Sequence, residues 1–122
     1  MPSRPRVQHI LKCWPEFFQP TLNGLKRFEL RRDDRPEGFQ VGDELLQREW
    51  DPVKFNDLLS HYNEPGPVDE VREQFIQACY TGREVLVRVD YVMDARMADR
   101  LMGVLCRTGA PGYVIMSVSL VN

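Results

Sequence analysis

Apolar and polar residues alternate most cleanly over 84–93, where Val85, Val87, Val89, Tyr91 and Met93 interleave with Glu84, Arg88 and Asp90. A period of two sustained that long predicts a strand with one buried face. A shorter alternation over 26–32 predicts another strand, with Phe28 and Leu30 on its buried face and Arg27, Glu29 and Arg31 on the other. Further strands are predicted at 7–14, with Ile10 and Cys13 toward the core, at 44–50 and at 113–120. Apolar residues return at helical spacing over 53–62 (Phe55, Leu58, Leu59, Tyr62), 68–79 (Val71, Phe75, Ile76, Cys79) and 97–106 (Met97, Leu101, Val104, Leu105).

Turn chemistry divides these segments. Pro15 suits the first turn of a helix, Glu16 complements the positive end of its dipole, and Asn23-Gly24 predicts a left-handed cap. Phe17, Phe18 and Leu22 would form the apolar face, and Pro20 predicts a kink or a later start. Residues 33–38 form a loop, Val41-Gly42-Asp43 a tight turn, Asp51-Pro52 a strand stop, Asn63 to Pro67 a helix break, Tyr80 to Arg83 a turn, and Gly109 to Gly112 another. The proline- and arginine-bearing residues 1–6 resemble a frayed arm. Five strands, a helix after the first and helices in the later connections predict a mixed α+β fold, either a small mixed sheet or a closed barrel. One domain over 1–122 is expected, with 53–79 as a helical insertion that packs on it or serves as a lid or partner-binding element.

Composition narrows the class. A 43% hydrophobic share in 122 residues is enough for a core. No apolar run approaches the roughly 20 residues of a membrane span, and no apolar block of signal-peptide length follows the basic start, so a cytoplasmic location without a membrane partner is expected. Cys13, Cys79 and Cys106 form no Cys-x-x-Cys, and His9 and His61 lie far apart. That spacing speaks against a structural zinc site and for free, buried thiols; no metal or cofactor is expected. Net charge is −2, but residues 1–35 carry eight basic against four acidic residues, leaving eight against fourteen for the remainder. The basic first third either forms a patch that attracts phosphate or pairs with the acidic remainder.

The densest polar segment is Gly24-Leu25-Lys26-Arg27-Phe28-Glu29-Leu30-Arg31-Arg32-Asp33-Asp34-Arg35. It is either a solvated salt-bridged strand or a set of groups gathered around a ligand. His9-Ile10-Leu11-Lys12, Trp14-Pro15-Glu16-Phe17-Phe18, Gly24 to Arg31, Asp34-Arg35, Phe39 to Asp43, Glu49-Trp50-Asp51-Pro52 and Tyr80-Thr81-Gly82-Arg83 occur in that order. Together with Gly112 to Ile115, this set resembles the DUF3850 family, a branch of the ASCH domains with a PUA-like barrel. Gly24, Lys26, Glu29 and Arg31 resemble the Gly-x-Lys-x-x-Glu-x-Arg motif of ASCH domains. The likeness covers nearly the whole chain outside 53–79.

That resemblance implies a PUA-like β-barrel of five to six strands with flanking helices and a cleft between barrel and helix. It also implies binding of RNA or action on modified nucleosides. Some relatives hydrolyse N4-acetylcytidine, and in that branch a lysine at the place of Lys26 is catalytic while a threonine stands where this chain has Glu29. As a binding module, the chain would hold phosphate with Lys26 and Arg31, accept hydrogen bonds at Glu29, line its cleft with Lys12, and stack a base on Trp14, Phe17 or Trp50. As a hydrolase of a modified nucleoside or of RNA, it would activate water with Glu29 or a desolvated Lys26 and stabilise an oxyanion with Arg31 or Lys12. An RNA or nucleotide-like partner is the first expectation, the hydrolase the second, and a protein-interaction module built on 53–79 the third.

Overall fold

The computed structural model describes residues 4–32, 35–62, 68–93 and 113–121. The predicted helix at 97–106, the turn at 109–112, Cys106 and the break at 63–67 lie outside them. In chain order the elements are β1 (Gln8–Cys13), α1 (Pro15–Leu22), β2 (Phe28–Arg32), β3 (Glu44–Trp50), α2 (Pro52–Ser60), α3 (Val68–Ala78), β4 (Tyr80–Met93) and β5 (Tyr113–Leu120). The five strands form one mixed sheet in the order β1-β3-β4-β5-β2. β1 runs parallel to β3, which requires the crossover through α1 and β2, and the other pairs are antiparallel. The fold is therefore mixed α+β.

β1 and β2 are the two edges of the sheet, and its curl brings them back toward each other. Arg31 on β2 donates to the carbonyl of Lys12 on β1 from both terminal nitrogens at 3.3 Å. Arg35 donates to the carbonyl of Ile10 at 3.2 Å. Guanidinium groups thus occupy a seam where a closed barrel would have a backbone ladder, and the sheet is a half-barrel rather than the closed barrel of five to six strands. Satisfying edge carbonyls in this way removes a pairing template that an open edge would expose.

The concave face carries Leu11, Leu45, Val87, Val89, Val114, Met116 and Val118 as one buried cluster. α1 covers one end of it with Phe18, packed on Cys13 and Val85. Several predicted orientations are reversed. Ile10 is exposed while His9, Leu11 and Cys13 face inward. Of the predicted apolar face of α1, Phe18 is buried as expected, whereas Phe17 and Leu22 are exposed and Thr21 is buried; the helix begins at Pro15 and includes Pro20. β4 shifts register between Val89 and Tyr91, so Tyr91 turns outward and Val92 packs against the core. The expected turn at Tyr80 to Arg83 is part of β4, with Gly82 at φ +92° in an irregular register against β3.

The insertion is a pair of helices. Asp51 caps α2 by accepting from the backbone of Val53 and Lys54 at 3.0 and 3.1 Å. Trp50, Phe55 and Cys79 form its core with Leu58, Leu59, Phe75, Ile76 and Tyr80 around them. The apolar faces of both helices are used on each other and on the strand ends Trp50 and Tyr80. No helix among the described residues is long and apolar enough to cross a membrane.

At the opposite end of the concave face, Asp43 is fully buried after the Val41-Gly42 turn. It accepts from Arg4 at 2.9 and 2.6 Å, from His9 Nε2 at 2.9 Å, and from the backbone of Val7 and Gln40 at 3.1 and 3.0 Å. Arg4 also donates to the carbonyls of Glu37 and Gly38, so the chain is pinned from residue 4 onward rather than frayed. Burial alone would raise the Asp43 pKa, but the hydrogen bonds from Arg4, His9 and the two amides outweigh it and hold the carboxyl well below its usual range. Since the folded-state value is the lower one, the unfolded chain takes up the proton first on acidification. The stabilisation is complete above the ordinary carboxylate pKa of about 4 and is lost as pH falls through the folded-state value. Asp43→Asn should destabilise the fold by about 3 kcal/mol at pH 7 and flatten the acid limb of stability against pH. Urea unfolding of both proteins between pH 2 and 7 checks this.

Candidate functional site

The predicted left-handed cap delivers the first site residue. Gly24 has φ +75°, a conformation that costs other residues about 1–2 kcal/mol. Its amide donates to Thr21 O at 3.0 Å, while the amides of Leu25 and Lys26 both donate to Pro20 O at 2.9 and 3.0 Å. Those bonds satisfy the free carbonyls at the end of α1 and fix the backbone of Lys26 ahead of β2. From there Lys26 Nζ reaches Glu29 Oε1 at 2.7 Å.

Glu29 is 2% exposed and stands opposite Met116 on the concave face. Oε1 also accepts from Gln47 Nε2 at 2.5 Å, and Oε2 accepts from Arg31 Nε at 3.1 Å. Gln47, fully buried on β3, accepts in turn from Arg31 Nη2 at 3.2 Å. This reverses the face predicted for β2: Glu29 is buried, while Phe28 and Leu30 are 57% and 40% exposed. The physical reason is the neighbourhood. A carboxylate can be buried where two cations and an amide fill its oxygens, and the end of the half-barrel supplies all three.

Beside this cluster lies an open cavity of about 570 Å³. Lys12, Lys26, Glu29 and Arg31 line it, so the four polar residues singled out from the sequence share one concave surface. Its apolar walls are Trp14, Phe17, Pro20, Leu25, Phe28 and Leu30. Five of these are large apolar side chains left exposed around one opening, a concentration that marks a ligand site more often than bare surface. Trp14 and Phe17 stack with centroids 6.5 Å apart. Trp50 is elsewhere. It is buried in the helical hairpin and donates to Ile76 O at 2.9 Å, and Lys12 Nζ lies 4.6 Å from the centre of its ring.

Cys13 also lines the cavity. Burial, reinforced by Glu29 and Glu49 and partly offset by Lys26 and Arg31, pushes its thiol up to about 11. It is a protonated wall and not a nucleophile at neutral pH. Glu49, likewise buried, accepts from Thr81 Oγ1 at 2.8 Å, and Arg83 lies 3.6 Å away. Among the described residues no three His, Cys, Asp or Glu side chains converge as a metal would need. His9, bound to Asp43 at the other end, is not a lining residue of the cavity.

The model of a domain of unknown function, DUF3850, matches residues 8–106. The chain belongs to the DUF3850 family. Within this DUF3850 chain the match spans β1 through β4 and contains every lining residue of the cavity. No curated protein matches it.

Neither Gln47 nor Glu49 is among the site residues expected from the sequence, although Glu49 belongs to the Glu49-Trp50-Asp51-Pro52 element of the resemblance. Their signal is weak: both follow Leu45 at a spacing of two in β3, on a face where apolar residues are the rule. Phe28 and Leu30 were missed as cavity walls because apolar residues in an alternating strand are ordinarily core, and Leu25, just before that strand, carries no separate signal. In the native protein at pH 8, Cys13 and Cys79 should react with iodoacetamide on the order of a hundredfold more slowly than free cysteine, read by mass-spectrometric mapping. Burial raises the Cys79 thiol as well. Fast labelling of folded Cys13 would contradict the site as described.

Proposed function

We propose that this DUF3850 chain is an ASCH-type, PUA-like module of the cytoplasm that recognises RNA or a nucleotide by taking a base into the cavity at Glu29. One observation carries the reading: an apolar-walled hollow with a hydrogen-bonding floor that is only partly used. An ionised carboxylate offers about four acceptor positions, and among the described residues Lys26, Gln47 and Arg31 take three of them. Lys26 has three N–H donors, of which one is used on Glu29. A spare acceptor beside spare donors complements a planar group that presents an N–H next to a carbonyl or ring nitrogen, as a nucleobase edge does. The exposed rings of Trp14, Phe17 and Phe28 suit the faces of the same guest, since stacking on aromatic side chains contributes about 1–3 kcal/mol per base.

The chemistry of the floor favours holding over hydrolysis. Lys26 is ion-paired with Glu29 at 2.7 Å, which suits an ammonium that donates rather than a free amine that attacks. The carboxylate is itself committed to two cations and an amide.

The test is equilibrium binding of adenosine, cytidine, guanosine, uridine, N4-acetylcytidine and a short single-stranded RNA, with product analysis of the same mixtures. At least one should bind, without turnover, and Glu29→Gln should weaken it by at least about tenfold, as expected for a lost hydrogen bond to a charged group. Binding of none of them, or equal binding by Glu29→Gln, would overturn the reading. Release of cytidine from N4-acetylcytidine would make the protein a hydrolase instead.

A further inference from the structure

A second hollow of about 370 Å³ adjoins the first, and Lys12 and Arg31 line both. Its remaining charged lining is Arg32 and Arg35, with Phe39 and Tyr80 as aromatic walls. Four basic residues therefore line one small space, and no acidic residue among the described ones lines it. Arg31 is the least available of the four, because its nitrogens are engaged by Glu29, Gln47 and the Lys12 carbonyl. Among the described residues Arg35 uses one nitrogen, on the Ile10 carbonyl, which fixes its planar group against β1 and leaves further N–H donors. Among the described residues Arg32 and Lys12 make no side-chain hydrogen bond or ion pair, although Lys12 lies over the Trp50 ring.

We propose that this second hollow is a phosphate subsite, formed by Lys12, Arg32 and Arg35 with Arg31 at the boundary. The inference rests on the base-binding reading of the first cavity and adds to it. The preferred guest is then a phosphorylated nucleoside, either free or as one residue of a chain, and not the bare nucleoside. The division of labour follows from charge. The inner floor has its carboxylate between two cations and offers hydrogen bonds to a neutral edge, whereas the charged side chains among the described lining of the outer hollow are all basic and suit an anion. Guanidinium forks match phosphate oxygens bidentately, and a lysine supplies a point charge.

The experiment compares the four ribonucleosides with their 5′- and 3′-monophosphates and with a dinucleotide, on the full chain, by calorimetry at two salt concentrations. A monophosphate should bind about tenfold or more tightly than its nucleoside, and the gain should shrink as salt rises. Arg32→Gln should remove most of the gain and leave nucleoside affinity unchanged. Arg35→Gln should act the same way, and the unchanged nucleoside affinity shows that each variant is folded. A preference for a 5′- or 3′-monophosphate over the dinucleotide identifies a free nucleotide as the source of the phosphate, and the reverse identifies a chain. Equal affinity for nucleosides and monophosphates would overturn the subsite while leaving the base site standing. A phosphate gain that both variants retain would place the anion elsewhere and overturn the assignment. Binding of no nucleoside, nucleotide or dinucleotide would remove both readings together.

Discussion

Glu29 holds a carboxylate at a position with 2% exposure, and an anion there is tolerated only if its oxygens are filled with donors. The donors come from three places: Lys26 from the end of the α1 cap, Gln47 from β3 in mid-sheet, and Arg31 from β2 itself. Arg31 then extends to the Lys12 carbonyl on β1. One acidic side chain thus links the two edges of the sheet to its interior. Loss of a single partner would leave charge buried without compensation, which costs about 3–5 kcal/mol in comparable settings. The cavity inherits its floor from the same bonds, so the groups that hold the seam also determine what the cavity can bind.

The interior is apolar in the middle and ionic at both ends. Asp43 with Arg4 and His9 anchors the start of β1 and β3, and Glu29 with Lys26, Gln47 and Arg31 anchors the other end. The two clusters differ in what remains open. Asp43 is enclosed and accepts from two side chains and two amides, so its role is structural. Glu29 lines an open hollow with aromatic walls. His9 shows how tightly the closed cluster is built: its Nε2 must carry the proton it shares with the ionised Asp43, while Nδ1 is buried without a hydrogen-bond partner among the described residues, 3.5 Å from Glu37 Oε1.

Local chemistry was legible in the sequence where one residue type can do the job. Gly24 as the left-handed cap, Pro15 as the first helical position, Asp51-Pro52 as a strand end, and β3 and β5 to the residue all follow from turn residues and periodicity. The polar motif at 24–31 also pointed to Lys26, Glu29 and Arg31. Which way β2 faces was not legible. Alternation places apolar residues inward, and here the interior position is taken by a carboxylate whose cations arrive through tertiary contacts. The same limit applies to Ile10 and Tyr91, where register against β3 and β5 decides the face. Trp50 looked like a stacking platform because nothing local reveals that α2 and α3 fold over it.

The most direct test of the Glu29 centre is a double-mutant cycle between Glu29→Gln and Arg31→Gln, measured as unfolding free energy in urea at pH 7. A coupling of about 1.5–3 kcal/mol, the range for hydrogen bonds to charged groups, is the predicted result. Additive effects, with a coupling near zero, would mean that the two side chains do not meet, and would contradict both the seam and the site built on it.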